Sequence, residues 1–386
     1  MIISDSIKYV GVDDHEIDFF EGQFPVPNGM AYNSYLILDE KIAVMDSVDE
    51  NFGEEWLENL EKELAGKTPD YLVVQHMEMD HSANIRNFAE KYPEAKIVSS
   101  KLAFVMMKSY FGTDFADKQI VVGEGSRLEL GSHTLNFITA PNVHWPEVIM
   151  TYESSEKILF SADGFGKFGA NDYDDPEGWL CEARRYYFGI VGKFGDNVQA
   201  VLKKAENLEI KKICALHGPV LDSEIEKYLD YYKIWSAYEA ESEGVVIAYT
   251  SVYGNTKKAA EKLAEILVDK GCKKVILEDL VREETYECIE DAFRYGKLVL
   301  ASTTYNGGVF PKMREFIEHL VSRNYQKRTI GFIENGSWGP LAAKTMQALL
   351  EPCKEIKFAE NKASIKIAMT AENEVQLEKL ADELLQ

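Results

Sequence analysis

The sequence predicts an α/β protein of two domains, an α/β sandwich over residues 1–243 and a doubly wound parallel sheet over 244–386. Three observations carry this expectation. At 386 residues the chain exceeds one ordinary domain. The first 220 residues hold short apolar strands that run out in His or Asp. From Gly244 the pattern changes to five strands alternating with five helical stretches, which is how a doubly wound sheet reads.

In the first domain NSYLILD (33–39) and KIAVMDS (41–47) flank a tight turn, as in a hairpin. TPDYLVVQH, TLNFITA (134–140), KILFSAD (157–163) and KKICALH (211–217) read as buried strands. Each delivers polar residues at or just past its end, so several strands supply ligands at one edge. Residues 222–242 read as an amphipathic helix. The second domain's strands are expected at 245–249, 274–279, 297–303, 329–335 and 364–369. Its helices are expected at 256–270, 287–295, 311–322, 340–350 and 372–385.

Composition narrows the function. Hydrophobic residues make up 46% of the chain, enough for a core in each half. No apolar run is long enough to span a membrane, and the opening residues carry no export signal. Five scattered cysteines with no C-x-x-C pair argue against a disulfide framework, a zinc ribbon or a rubredoxin-type centre, and point to the cytoplasm. The net charge of −23 sits almost wholly in the first domain: residues 245–386 carry 20 Lys and Arg against 21 Asp and Glu. Such a field repels nucleic acid and anionic membrane, so neither is an expected partner.

The densest cluster of chemistry is His76-Met77-Glu78-Met79-Asp80-His81. In an extended chain, alternation puts His76, Glu78 and Asp80 on one side, and a turn brings His81 round. His144, Asp163 and His217 each follow a later strand. Imidazole mixed with carboxylate suits iron, manganese or zinc. Seven candidate ligands exceed the needs of one tetrahedral ion and imply two metals. The bland alternative is a set of solvated loop residues. His15 and His319 read as surface residues and His133 as part of a turn, and none is assigned a role.

The second domain holds a different constellation. After its first strand, Ser251-Val252-Tyr253-Gly254-Asn255-Thr256 opens a helix and offers hydroxyls and free N–H groups at the positive end of the helix dipole. The loop is a phosphate cradle or, more simply, an N-cap turn. It is neither a Walker loop nor a dinucleotide fingerprint. The third strand ends in Thr303-Thr304-Tyr305-Asn306-Gly307-Gly308, and Gly336-Ser337-Trp338-Gly339 follows the fourth. These loops should converge at the carboxyl edge of the sheet, where Tyr305 and Trp338 can flank a flat ring.

On the H-x-E-x-D-H motif, the first domain resembles the metallo-β-lactamase superfamily, an αββα sandwich. Glu78 stands where its zinc hydrolases usually have a second His. In that respect, and in carrying a flavodoxin-like five-stranded domain behind it, the whole chain resembles the flavodiiron proteins. The chain ends after the fifth helix of the flavodoxin unit, as in their simplest, two-domain class. The resemblance implies His76, Glu78 and His144 on one iron, Asp80, His81 and His217 on the other, and Asp163 bridging. In some members the equivalent of His81 is turned away. It further implies FMN in the three loops and a reductase of O2, NO or both. Rubredoxin or a reduced deazaflavin would be the electron donor, and head-to-tail homodimers, or dimers of dimers, the assembly. A zinc hydrolase with a fused flavodoxin module and a pure electron carrier are the alternatives; Glu78 speaks against the first and the intact ligand set against the second.

Overall fold

The computed structural model describes residues 3–386. Contacts divide the chain into a unit ending at Lys233 and a second unit, Ile234–Gln386. The pattern change at 243/244 therefore falls ten residues inside the second unit. The helix expected over 222–242 is shorter, Ile225–Ser236. It cannot run on, because Tyr238 adopts a left-handed backbone (φ +58°) and Ser242 already begins the next strand.

The first unit is built on two sheets. One has six strands in the order Ile7–Tyr9, Tyr35–Ile37, Ala43–Met45, Tyr71–Val73, Lys96–Ser100 and Gln119–Val122. The other has five: Arg127–Glu129, Thr134–Thr139, Ile149–Glu153, Ile158–Phe160 and Lys212–Cys214. Met45, Val73 and Val98 of the first sheet share one apolar cluster with Phe137, Ile149 and Phe160 of the second. The sheets thus face each other, and helices cover their outer sides, Lys101–Phe111 on the first and Gly195–Ala205 on the second. Helix Gly53–Leu64 buries Trp56, Leu60 and Leu64, a four-residue spacing that keeps one face on the core. The expected αββα sandwich is present.

In the second unit all five long strands are parallel, in the order Val275–Asp279, Ser242–Tyr249, Tyr295–Tyr305, Thr329–Asn335, Lys357–Ile365. The chain starts in the second place of the sheet and then winds both ways, which opens a crevice beyond the carboxyl end of Ser242–Tyr249. Helix Asn255–Asp269 packs Ala259, Leu263 and Leu267 into the same core as Ile247 and Val299. The fifth strand lies earlier than the expected 364–369, so its carboxyl end and the turn at Ile367 face the crevice edge. Among the described residues no helix is long and apolar enough to cross a membrane.

Candidate functional site

The seven residues expected to bind metal come together in the first unit, in two groups. What divides them is local backbone. The strand ends at Val73, the chain stays extended through Glu78 (ψ 144°), and a single helical turn, Met79–Ser82, follows. The Ser82 hydroxyl donates to the Met77 carbonyl at 3.0 Å and fastens that turn. Glu78 therefore shares a group with His76, whereas Asp80 leaves that side together with His81. The simple alternation that put His76, Glu78 and Asp80 on one side does not hold, because a helical turn rotates about 100° per residue rather than 180°.

In the first group Glu78 Oε2 lies 3.2 Å from His76 Nε2 and 2.9 Å from His144 Nε2. Asp163 Oδ2 completes it, 3.2 Å from His76 Nε2 and 3.1 Å from His144 Nε2. In the second group Asp80 Oδ2 lies 3.2 Å from His81 Nε2 and 3.3 Å from His217 Nε2. The other Asp163 oxygen, Oδ1, stands 3.7 Å from both of these nitrogens. His81 Nε2 faces inward, 2.9 Å from His217 Nε2.

The tautomers are set from behind. Glu147 Oε1 accepts from His76 Nδ1 at 2.8 Å, and the Ala31 carbonyl accepts from His217 Nδ1 at 2.7 Å. Both rings thereby turn an Nε2 lone pair inward. Glu147 escaped the sequence reading; its signal was a carboxylate three residues beyond His144 in the same loop. Phe20, Tyr32 and Tyr186 surround His217 with ring centroids 5.4, 6.1 and 5.5 Å away, and they too went unsuspected.

Both carboxylate oxygens of Asp80 and of Asp163 are buried without a hydrogen-bond partner. Buried carboxylates left so are costly unless a cation compensates them. Burial opposes charge on His144, yet contact with Asp163 and Glu78 pushes its pKa up to about 9. Burial likewise opposes charge on Asp163, but His76, His144 and His81 hold its carboxyl well below the usual range. Positive charge is what these groups select, and metal ions would compete with protons for them. Three carboxylates with four imidazoles fit two iron ions.

In the second unit the three loops enclose a cavity of about 360 Å³. Of the residues expected to line it, Gly254 and Gly308 stand back. Gly254, at φ +86°, turns the chain into helix Asn255–Asp269, and Gly308 pairs with Tyr305 in a short hairpin. Thr256 and Thr303 join their hydroxyls at 3.1 Å, and the Ser251 hydroxyl accepts the Gly254 N–H. The Thr304 hydroxyl accepts from the N–H groups of Leu341 and Ala342 and so helps start helix Ala342–Leu349. The rings of Tyr253 and Trp338 are 93% exposed at the rim. A Cβ on Gly336 would stand 3.0 Å from the Pro340 backbone, tighter than ordinary contact, so glycine suits the close turn there. Asn335, Leu341 and Ile367 line the cavity as well. The carboxamide of Asn335 holds Ile367 at both its N–H and its carbonyl, each at 3.0 Å. Hydroxyls at a helix start, close backbone and flanking rings fit the phosphate and flat ring of FMN.

Residues 30–218 match the family described as ODP family beta lactamase, and residues 246–360 match the flavodoxin domain. A nitric oxide reductase of Moorella thermoacetica is 31% identical over 368 residues, covering 93% of this chain and 91% of that one. The structure of a rubredoxin oxygen:oxidoreductase from Desulfovibrio gigas is similar with a TM-score of 0.92 and 25% identity, over 99% of this chain and 96% of that one. A flavodiiron protein from Giardia intestinalis gives the same TM-score, identity and coverage.

Proposed function

Because the chain belongs to the flavodiiron protein family, an oxidoreductase family whose cofactors are FMN and a di-iron centre, we propose that it reduces O2 to water, NO to N2O, or both. The observation that carries this reading is the sharing of Asp163 between the two ligand groups. One carboxylate facing two clusters of imidazole and carboxylate suits a coupled metal pair rather than two independent structural ions. On this reading His76, Glu78 and His144 would hold one iron and Asp80, His81 and His217 the other, with Asp163 placed to serve both.

When bound, the irons and the flavin supply the redox chemistry, two electrons each, enough for O2 to water or for coupling two NO to N2O. Around them the chain's own residues have separate tasks. Glu147 and the Ala31 carbonyl aim two imidazoles inward, while Phe20, Tyr32 and Tyr186 keep bulk water from the ligands of the second group. In the second unit Ser251, Thr256 and Thr303 and the N-terminus of helix Asn255–Asp269 receive the phosphate. Tyr253, Tyr305 and Trp338 would flank the ring. The name of the Desulfovibrio gigas relative supports rubredoxin as electron donor, with a reduced deazaflavin as the other choice. A head-to-tail homodimer in the cytoplasm completes the proposal.

The test is anaerobic reduction of the purified protein followed by rapid mixing with O2 and with NO in parallel. Multiple turnovers yielding water or N2O are expected, with the ratio of rates fixing the preferred gas. Two zinc ions per chain and no turnover with either gas would sink the reading.

A further inference from the structure

The second sheet of the first unit does not pack tightly against its helices. Between strand Ile149–Glu153 and helices Gly195–Ala205 and Ile225–Ser236 lies a void with room of about 20 Å³ for the centre of a water-sized sphere. On a measure by which one water needs roughly 10–15 Å³, that is room for one small molecule. Most protein cores leave few such holes.

Its walls explain both its emptiness and its character. Gly164 contributes no side chain, and a Cβ there would stand 3.0 Å from the Met150 methyl. Phe165, held at φ +68°, stacks on Tyr232 with centroids 4.0 Å apart instead of filling the space. The Tyr232 hydroxyl accepts the Phe165 N–H at 2.5 Å, which turns its oxygen away from the void. Val143 and Val198 close the remaining sides, and no polar atom faces the interior. A buried water needs two to four polar partners, so water gains nothing by entering, whereas a small apolar molecule does.

The position gives this void its meaning. Val143 directly precedes the metal-site residue His144, and Gly164 directly follows Asp163. The same two turns that present both groups to the metal pair form the wall of the void on their other side. We propose that the void is a docking site for an uncharged diatomic gas, O2 or NO, held one residue behind the metal centre. This rests on the reductase reading. The acidic, partly charged metal site favours water and ions over a gas, so an apolar antechamber raises the chance that a gas molecule is present when the centre is ready.

Xenon, a soluble apolar probe of similar size, tests this without turnover. Crystals of the intact protein under xenon pressure should show one atom against Met150 and Val198. Val198→Phe fills the space and should abolish that atom. With iron and FMN contents unchanged and kcat at saturating gas retained, the same variant should raise KM for the gas about fourfold, the factor that the transfer free energy of one buried methylene corresponds to. If overpacking prevents folding, Val198→Leu is the substitute, with reduced xenon occupancy and a smaller rise. Val198→Ala should bind more xenon and leave KM at or below wild type. Absence of xenon from an active wild-type enzyme overturns the proposal and spares the reductase reading; so does loss of xenon in the filled variant with KM unchanged. A wild-type protein that turns over neither gas defeats the reductase reading first, and the docking role with it.

Discussion

Glu147 Oε1 lies 2.8 Å from His76 Nδ1, and the same oxygen accepts the Met77 N–H at 2.9 Å. One carboxylate thereby fixes both the ring that enters the metal site and the backbone that carries it. Glu147 is a positioning residue. Removing such a partner behind a metal-binding imidazole typically weakens metal binding about 10- to 100-fold. Glu147→Ala should lose iron to a chelator in that range, and Glu147→Gln, whose carbonyl can still accept from Nδ1, should retain most of it. Equal iron release from both variants and wild type would remove Glu147 from the account.

Glu78 is the residue that separates this site from the zinc hydrolases. Its Oε2 touches both His76 and His144. Glu78→His replaces a charged oxygen donor by a neutral nitrogen, which favours zinc over ferric iron. Elemental analysis of the variant from iron-replete cells should find more zinc, less iron and no gas reduction. Iron content and turnover equal to wild type would show that Glu78 is no ligand.

Two neighbouring threonines of the flavin cavity should behave differently. Thr256 is buried with its hydroxyl at the cavity wall, so Thr256→Val removes a bond to a charged phosphate, which costs about 1.5–3 kcal/mol. FMN titration of the apoprotein should show binding weaker by roughly 10- to 150-fold. The Thr304 hydroxyl accepts the two N–H groups that open helix Ala342–Leu349, which leaves only its O–H proton for a ligand. Thr304→Val should therefore cost about 1 kcal/mol of stability, as lost caps do, and weaken FMN binding less than Thr256→Val does.

The contrast between Thr256 and Thr304 marks how far the sequence could be read. Strand ends and loop chemistry pointed to the three loops that line one cavity, because short polar and glycine residues after a buried strand have few other uses. Which hydroxyl faces the ligand depends on where the next helix starts, and that is a tertiary fact. The metal residues were legible for a similar reason: His and carboxylate at strand ends are rare without a task. Their partition into two groups came from the family resemblance and not from the local pattern, since it turns on the helical turn Met79–Ser82, too short to leave a periodic signal. Glu147 and the Ala31 carbonyl were invisible for a different reason. Their partners lie 71 and 186 residues away in the chain, and no local pattern announces a carbonyl.

His133, to which the sequence assigned nothing, should add a pH-dependent contact between the two sheets of the first unit. It sits in the turn between Arg127–Glu129 and Thr134–Thr139, buried between carboxylates of two other turns. Its Nδ1 lies 2.7 Å from Asp39 Oδ2 and its Nε2 3.2 Å from Glu156 Oε1. Asp39 joins two strands of the first sheet and Glu156 two strands of the second, so the imidazole ties the sheets together. Burial alone would lower its pKa, but hydrogen bonds to Asp39 and Glu156 outweigh that and raise it. Burial would raise Asp39, yet His133 and nearby backbone N–H groups hold its carboxyl below the usual range. The signs of the two contributions differ. A raised imidazole adds stability that is complete below its unfolded pKa of about 6.5 and is lost as pH rises through the higher folded value. A depressed carboxylate adds stability that is complete above its unfolded value of about 3.9 and is lost as pH falls through the lower folded one. The clamp is therefore strongest from about pH 5 to 6.5. His133→Gln keeps the volume but cannot become charged, and it should cost about 1–3 kcal/mol in that window. Thermal unfolding of iron- and FMN-loaded wild type and variant, followed from pH 5 to 9, should show the widest gap in Tm at the acid end and a narrowing gap above neutrality. A gap of constant width over that range would mean that the imidazole stays neutral between its two carboxylates.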